Sequence, residues 1–196
     1  AGLSRPASSG SLAAGAEAAA RAAGLEIVHI HAPATFDGGD VLKVGRTAYV
    51  GSSARTSPDG IEQLRAVLAP RGWQVVAVPV TSVLHLKSAV TALPEATVVG
   101  HPDHVDDPGS FRDFMAVPEP AGAHVVLLDG GRLLMASGAP ATAALYRSLG
   151  YVPVEVDISD IPPGGMMTVE WRGKPVWVVR RTPEMIAVLA GHDRDL

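Results

Sequence analysis

One recurring order constrains this chain more than any other feature: two short β runs, a tight link between them, a helix, and a further β run. Val41-Leu42-Lys43-Val44 and Ala48-Tyr49-Val50-Gly51 are joined by Gly45-Arg46-Thr47, the short glycine-containing link of a hairpin. Ser57-Pro58-Asp59-Gly60 then opens a helix, with serine at the N-cap and proline in the first turn. Ile61, Leu64, Val67 and Leu68 share one face at helical spacing, and Pro70 and Gly72 end it. Residues 74–78 form the next β run. The same order returns about 85 residues downstream as β runs at 125–128 and 132–135, a helix over 140–149 and a β run at 152–156. The repeat is one of architecture and not of sequence. Strands alternating with helices predict an α/β fold.

Between and around these segments the pattern is looser. Residues 1–24 are rich in Ala, Gly and Ser, with a helix expected over 11–23 because alanine is the best helix former. Residues 25–30 read as a strand that Pro33 ends. Residues 84–90 and 96–99 read as two more, and 100–118 as a loop-rich insertion with one helical turn. After Asp160 the character changes. Ile161-Pro162-Pro163-Gly164-Gly165 breaks the chain, residues 166–171 and 175–180 predict a hairpin across Arg172-Gly173-Lys174, and Thr182-Pro183-Glu184 caps a final helix. Three regions follow: 1–24, an α/β domain over 25–158, and a hairpin and helix over 159–196.

Composition narrows the function classes. Hydrophobic residues are 47% and charged residues 18% of the 196, which predicts a globular fold. A net charge of −4 gives no basic footprint for nucleic acid. No apolar run approaches the ~20 residues of a membrane helix. The opening residues lack the pattern of a signal peptide, so a cytoplasmic setting is the default expectation. The chain has no cysteine, which excludes disulfides, thiolate metal sites and thiol nucleophiles within it.

Four residues carry candidate chemistry. Asp37-Gly38-Gly39-Asp40 places two carboxylates beside glycines that permit close approach, and a carboxylate suits the N–H fork of a guanidinium. An ordinary Asp/Gly turn accounts for the same tetrapeptide. Arg55, after a strand end and Ser52-Ser53, suits bidentate capture of a carboxylate or plain surface exposure. His85, between Leu84 and Leu86, suits general acid and base work or a core position; Lys87 would share its strand face. His101, His104, Asp106 and Asp107 read better as a solvated loop than as a metal centre, and no metal or cofactor is expected. Trp171 and Trp177 are expected in a core.

Ala32-Pro33-Ala34-Thr35-Phe36-Asp37-Gly38-Gly39-Asp40, Val50-Gly51-Ser52-Ser53-Ala54-Arg55-Thr56 and Val83-Leu84-His85-Leu86-Lys87-Ser88 together resemble the dimethylarginine dimethylaminohydrolase family, of the guanidino-group-modifying (amidinotransferase) superfamily. The resemblance runs over about residues 25–160. It implies an α/β propeller of ββαβ modules, here incomplete, because the family's first module and its Phe-x-Glu-Asp carboxylates have no counterpart. It implies a cysteine that attacks the guanidinium carbon, loss of an amine, and release of citrulline by water. His85 is then the acid for the amine and the base for water. Asp37 orients the guanidinium, Arg55 holds the amino-acid carboxylate, and Asp40 joins the substrate-binding set. The family's Gly-x-x-Thr-Cys segment aligns with Gly165-Met166-Met167-Thr168-Val169, which puts Val169 where the nucleophile belongs.

From about Val154 to Leu196 the chain is similar to a scaffold segment of the Rieske iron–sulfur subunit, without the loops that ligate its cluster. Three functions are therefore expected to compete. One is a methylarginine hydrolase, impaired or inactive for want of its cysteine. The second is a binding module for guanidino compounds. The third is a fragment that self-associates through exposed strand edges.

Overall fold

The computed structural model of the chain describes residues 9–157, 159, 161–171 and 174–185. In chain order its elements are α1 (Ser9–Ala22), β1 (Val41–Val44), β2 (Thr47–Ser52), α2 (Pro58–Leu68), β3 (Gln74–Pro79), β4 (Val90–Ala92), β5 (Val98–Gly100), β6 (Phe114–Ala116), β7 (Val126–Leu127), β8 (Arg132–Ala136), α3 (Pro140–Ser148), β9 (Val152–Val156), β10 (Met166–Trp171) and β11 (Lys174–Val179). They divide into two units, Ile30–Ile158 and a second that combines Ala1–His29 with Ser159–Leu196.

The larger unit is built three times on one design. Its sheets run β1-β2-β3, β4-β5-β6 and β7-β8-β9. In each the first pair is antiparallel and the second parallel. A hairpin makes the first pair; a parallel neighbour needs a longer crossover. The repeat expected at the two ends of this unit is present, and a third copy lies between them.

In the first copy Ser57 caps α2 by accepting from Gly60 N at 3.2 Å, as its sequence predicts. Ile61 turns inward and is 2% exposed, against Ala48, Val50 and Val75. Burial of such a side chain stabilises by about 1.5–3 kcal/mol. In the last copy α3 buries Tyr146 completely, and its hydroxyl donates to Gly122 O at 2.8 Å.

The middle copy has no helix, and residues 84–118 depart most from expectation. Pro102–His104 and Pro108–Ser110 are single 3-10 turns between β5 and β6. Pro108 stands six residues after Pro102, where a helix begun at Pro102 would need its N–H, so the first turn cannot run on. Val105 and Phe111 fill the core in the helix's place, and Phe111 packs on Tyr49 with ring centroids 5.0 Å apart. Residues 84–90 do not form one strand. Leu86–Ser88 is a 3-10 turn, and β4 begins only at Val90. The apolar alternation around His85 is real, but the Leu86 N–H goes to a side chain and not to a ladder.

Residues 25–30 also form no strand. Leu25 and Val28 are exposed, and none of the described strands pairs with this run. A strand needs a neighbouring edge as well as the right residues.

The second unit holds α1 and the β10–β11 hairpin, registered from Met166 opposite Val179 to Trp171 opposite Lys174. Trp177 is 67% exposed, against the expected core position. A two-stranded ribbon has two faces, and this residue stands on an uncovered one. The side chain of Trp171 lies outside the described residues. Thr182 accepts from Met185 N as a helix cap, and the expected helix beyond Met185 lies outside them too. Among the described residues no helix is long and apolar enough to cross a membrane.

Candidate functional site

The site forms where three loops meet at the end of the first sheet. Asp37 caps the single 3-10 turn Gly38–Asp40. Its Oδ1 accepts from Gly39 N at 2.7 Å and its own N–H donates to Thr56 Oγ1 at 3.0 Å. Its Oδ2 is thereby turned to face His85 Nε2 at 3.1 Å and Arg55 Nη1 at 3.8 Å. The three side chains keep 32%, 19% and 21% of their surface exposed, for Asp37, His85 and Arg55. Part of each side chain is therefore open to solvent, although the His85 Nε2 itself is not.

The Asp37–His85 contact is short but off-line. Nε2 is buried and makes no directed hydrogen bond among the described residues. The Gly39 N–H, and then His85 and Arg55, hold the Asp37 carboxyl below the usual carboxylate range, against the opposing pull of burial. Asp37 is thus a carboxylate at neutral pH.

Gly39 is required by close approach. A Cβ there would stand 2.7 Å from the His85 ring. The glycine reading of the tetrapeptide and the turn reading both hold: it is a turn, and the His85 imidazole packs against it.

Asp40, expected among the substrate contacts, is buried. Oδ2 accepts from Ser53 Oγ and Thr56 Oγ1, each at 2.7 Å, and Oδ1 accepts from Leu86 N at 2.9 Å. In the sequence Ser53 and Thr56 stand only as members of the motif around Arg55, with no function of their own. Their signal was available: hydroxyls three apart around Arg55, after a strand end, are the composition of a side-chain-closed turn.

The other candidates lie elsewhere. Lys87 is exposed on the turn after His85. Asp107 caps the turn Pro108–Ser110, and Asp106 accepts from Thr81 N at 2.5 Å and from Ser82 Oγ. His101 and His104 pack edge to face at 5.8 Å. Among the described residues no group of three His, Cys, Asp or Glu is placed to hold a metal ion. Val169 lies in β10, in the other unit, opposite Val176.

An acidic, an imidazole and a guanidinium side chain meet at the end of one of three sheets of the same strand order, in an α/β fold of the kind that the solved amidinotransferase-like structures share. The chain belongs to the arginine deiminase family, whose model matches residues 19–125. It is 56% identical over 147 residues to the N(G),N(G)-dimethylarginine dimethylaminohydrolase of Streptomyces coelicolor, covering 75% of this chain and 57% of that relative. The dimethylarginine dimethylaminohydrolase of Pseudomonas aeruginosa, solved as a cysteine-to-serine mutant complexed with citrulline, superposes with a TM-score of 0.64 at 31% identity, over 77% of this chain and 60% of that one. The chain thus spans little more than half the length of these relatives. Its C-terminal part is similar to a different protein, the ubiquinol-cytochrome c reductase iron-sulfur subunit of Allochromatium vinosum, 54% identical over 54 residues, or 28% of this chain and 26% of that one.

Proposed function

We propose that the larger unit handles methylated arginine, the compound that names its relatives. One observation carries the reading: a single ionised carboxylate, Asp37, faces both His85 and Arg55 in a partly open cluster. A guanidinium bound at Asp37 would take over the Oδ2 that now faces Arg55. Arg55, beside it, would meet the amino-acid carboxylate of the same ligand, in the bidentate manner guanidinium favours. His85, beside the carbon under attack, donates a proton to the departing amine and then takes one from water. The three sheets would form three blades of a propeller that the relatives complete with further modules.

The covalent step needs a thiolate, and no cysteine occurs in these 196 residues. Val169 holds the aligned position. The expected behaviour is binding without turnover, because loss of a covalent nucleophile costs orders of magnitude in rate. The test is citrulline formation from dimethylarginine by the unaltered chain and by Val169→Cys, with calorimetric binding run beside it. Binding by both, with citrulline from the cysteine variant alone, supports the reading. Citrulline from the unaltered chain overturns the thiol route. No binding at millimolar ligand overturns the reading itself.

Self-association has its own support. β7 and β9 are both edges of their sheet, and Val126 and Val152 on them are half-exposed. Exposed edges invite another strand. A concentration-independent monomer by light scattering would remove this reading. A cytoplasmic setting remains part of the proposal.

A further inference from the structure

The buried Asp40 carboxylate is the one charged group in the larger unit that is fully enclosed among the described residues and has no part in the chemistry above. We infer that Asp40 is a positioning residue: through Ser53, Thr56 and Leu86 it fixes the backbone at all three substrate-handling side chains at once. The inference rests on the reading of Asp37, Arg55 and His85 as that set.

The connections can be followed bond by bond. Asp40 Oδ1 accepts from Leu86 N, the peptide that follows His85. Asp40 Oδ2 accepts hydrogen bonds from the Ser53 and Thr56 hydroxyls. Each hydroxyl, with its proton pointed inward, turns its lone pairs outward. Ser53 Oγ then accepts from Arg55 N at 3.0 Å and Thr56 N at 3.2 Å. Thr56 Oγ1 accepts from Asp37 N at 3.0 Å. One carboxylate thus sets the N–H of Asp37, of Arg55 and of the residue after His85.

The geometry leaves no room for a substitute. A Cβ on Gly51 would lie 2.7 Å from Asp40 Oδ1, so a strand backbone closes over the carboxylate. Thr56 is itself fully enclosed. A carboxylate is also the only side chain of this size with acceptors at both oxygens. An asparagine amide has one oxygen and one NH2. In one orientation its NH2 meets the Leu86 N–H, donor against donor. In the other it meets the two hydroxyls, which must rotate to accept and then aim their protons at the N–H groups of Arg55 and Asp37. Either way one of the three site residues loses its anchor.

A purely structural carboxylate would cost stability when removed and leave the site's chemistry alone, so the test reads the site without ligand. The Asp37 carboxyl is titrated by carbon NMR in the unaltered chain, Thr56→Val and Thr56→Ser, and Asp40→Asn is followed by hydrogen exchange, with melting temperatures measured in parallel. Thr56→Val, which changes no charge, is expected to raise the Asp37 midpoint by about half a pH unit or more as its neighbours move off. Thr56→Ser, which keeps the hydroxyl, is expected to restore it. Asp40→Asn also removes a neighbouring negative charge, which pulls the midpoint down, so it is read instead by loss of hydrogen-exchange protection at the Asp37, Arg55 and Leu86 N–H groups. An unchanged midpoint in Thr56→Val, or unchanged protection of those three N–H groups in Asp40→Asn, whatever the melting temperatures, overturns the inference. Should Asp40→Asn not fold, the contrast between Thr56→Val and Thr56→Ser decides alone. Failure of the unaltered chain to bind dimethylarginine would sink the substrate reading while this titration still stood or fell separately.

Discussion

The first and last copies of the ββαβ design share a topology and fill the end of the sheet in opposite ways. After β2 the chain enters a polar turn, Ser53 to Thr56, closed on the buried carboxylate of Asp40. After β8 it enters Ser137-Gly138-Ala139, where Ala139 is fully buried and the core beside it is Tyr146, Leu133 and Met135. The helix starts differ too. Ser57 caps α2 from within, whereas α3 is capped from a distance: Glu119 accepts from the Ala141 and Thr142 N–H groups and from the Thr142 hydroxyl. The fold therefore does not need the polar end. Of these two copies only the one that bears the candidate site has one, and a buried carboxylate is a costly way to hold a loop unless its position matters.

This contrast can be broken by experiment. The largest effect is expected in the apolar copy: Tyr146→Ala should destabilise by about 3–5 kcal/mol, in line with other buried aromatic truncations. Urea denaturation measures this, and the Asp37 carboxyl titration should stay where it was. A moved titration would mean that the two copies are not independent. Next comes Gly39→Ala, whose new methyl meets the imidazole. It should cost about 1–3 kcal/mol as overpacking and displace His85, read as a loss of the Asp37–His85 contact in a crystal structure. Ser57→Ala, which removes the α2 cap, should cost about 1 kcal/mol in the same denaturation assay and leave ligand binding intact.

The smallest effect is in pH. The Ser82 hydroxyl and then Thr81 hold the Asp106 carboxyl below its ordinary value. The folded state then binds fewer protons than the unfolded one near the ordinary carboxylate pKa of about 4. The resulting stability is present above that value and is lost as pH falls through the lower folded value. Asp106→Asn should be the less stable protein at neutral pH and should converge with the unaltered chain once pH falls below the lowered folded value. Parallel curves over both pH ranges would show that the Asp106 contacts add nothing in solution.

Much of the scaffold was legible because its cues are local. The Ser57-Pro58 cap, the Gly45-Arg46 turn and the apolar face of α2 each lie within a few residues, and each is where the sequence puts it. The middle copy was hidden because its strands are three residues long and its core residues, Val105 and Phe111, sit in a proline-broken link. At the site, the family motifs named Asp37, Arg55 and His85, and the structure brings those three side chains together. What the motifs did not reveal is that His85 precedes a turn and not a strand interior. That depends on a bond from Leu86 N to a side chain 46 residues away, which no periodicity records. The burial of Asp40 was hidden for the same reason, since burial is set by neighbours distant in sequence.

The strap between β5 and β6 offers a practical handle. Asp103, at its first turn, keeps 83% of its side chain in water. Three residues on, Asp106 grips Thr81 and Ser82, the start of the segment that delivers His85. A fluorescent dye attached through Asp103→Cys would be the sole thiol label on a chain that otherwise has no cysteine. Its emission would then report, in real time and without any reaction, on how firmly that segment is held when a guanidino compound arrives.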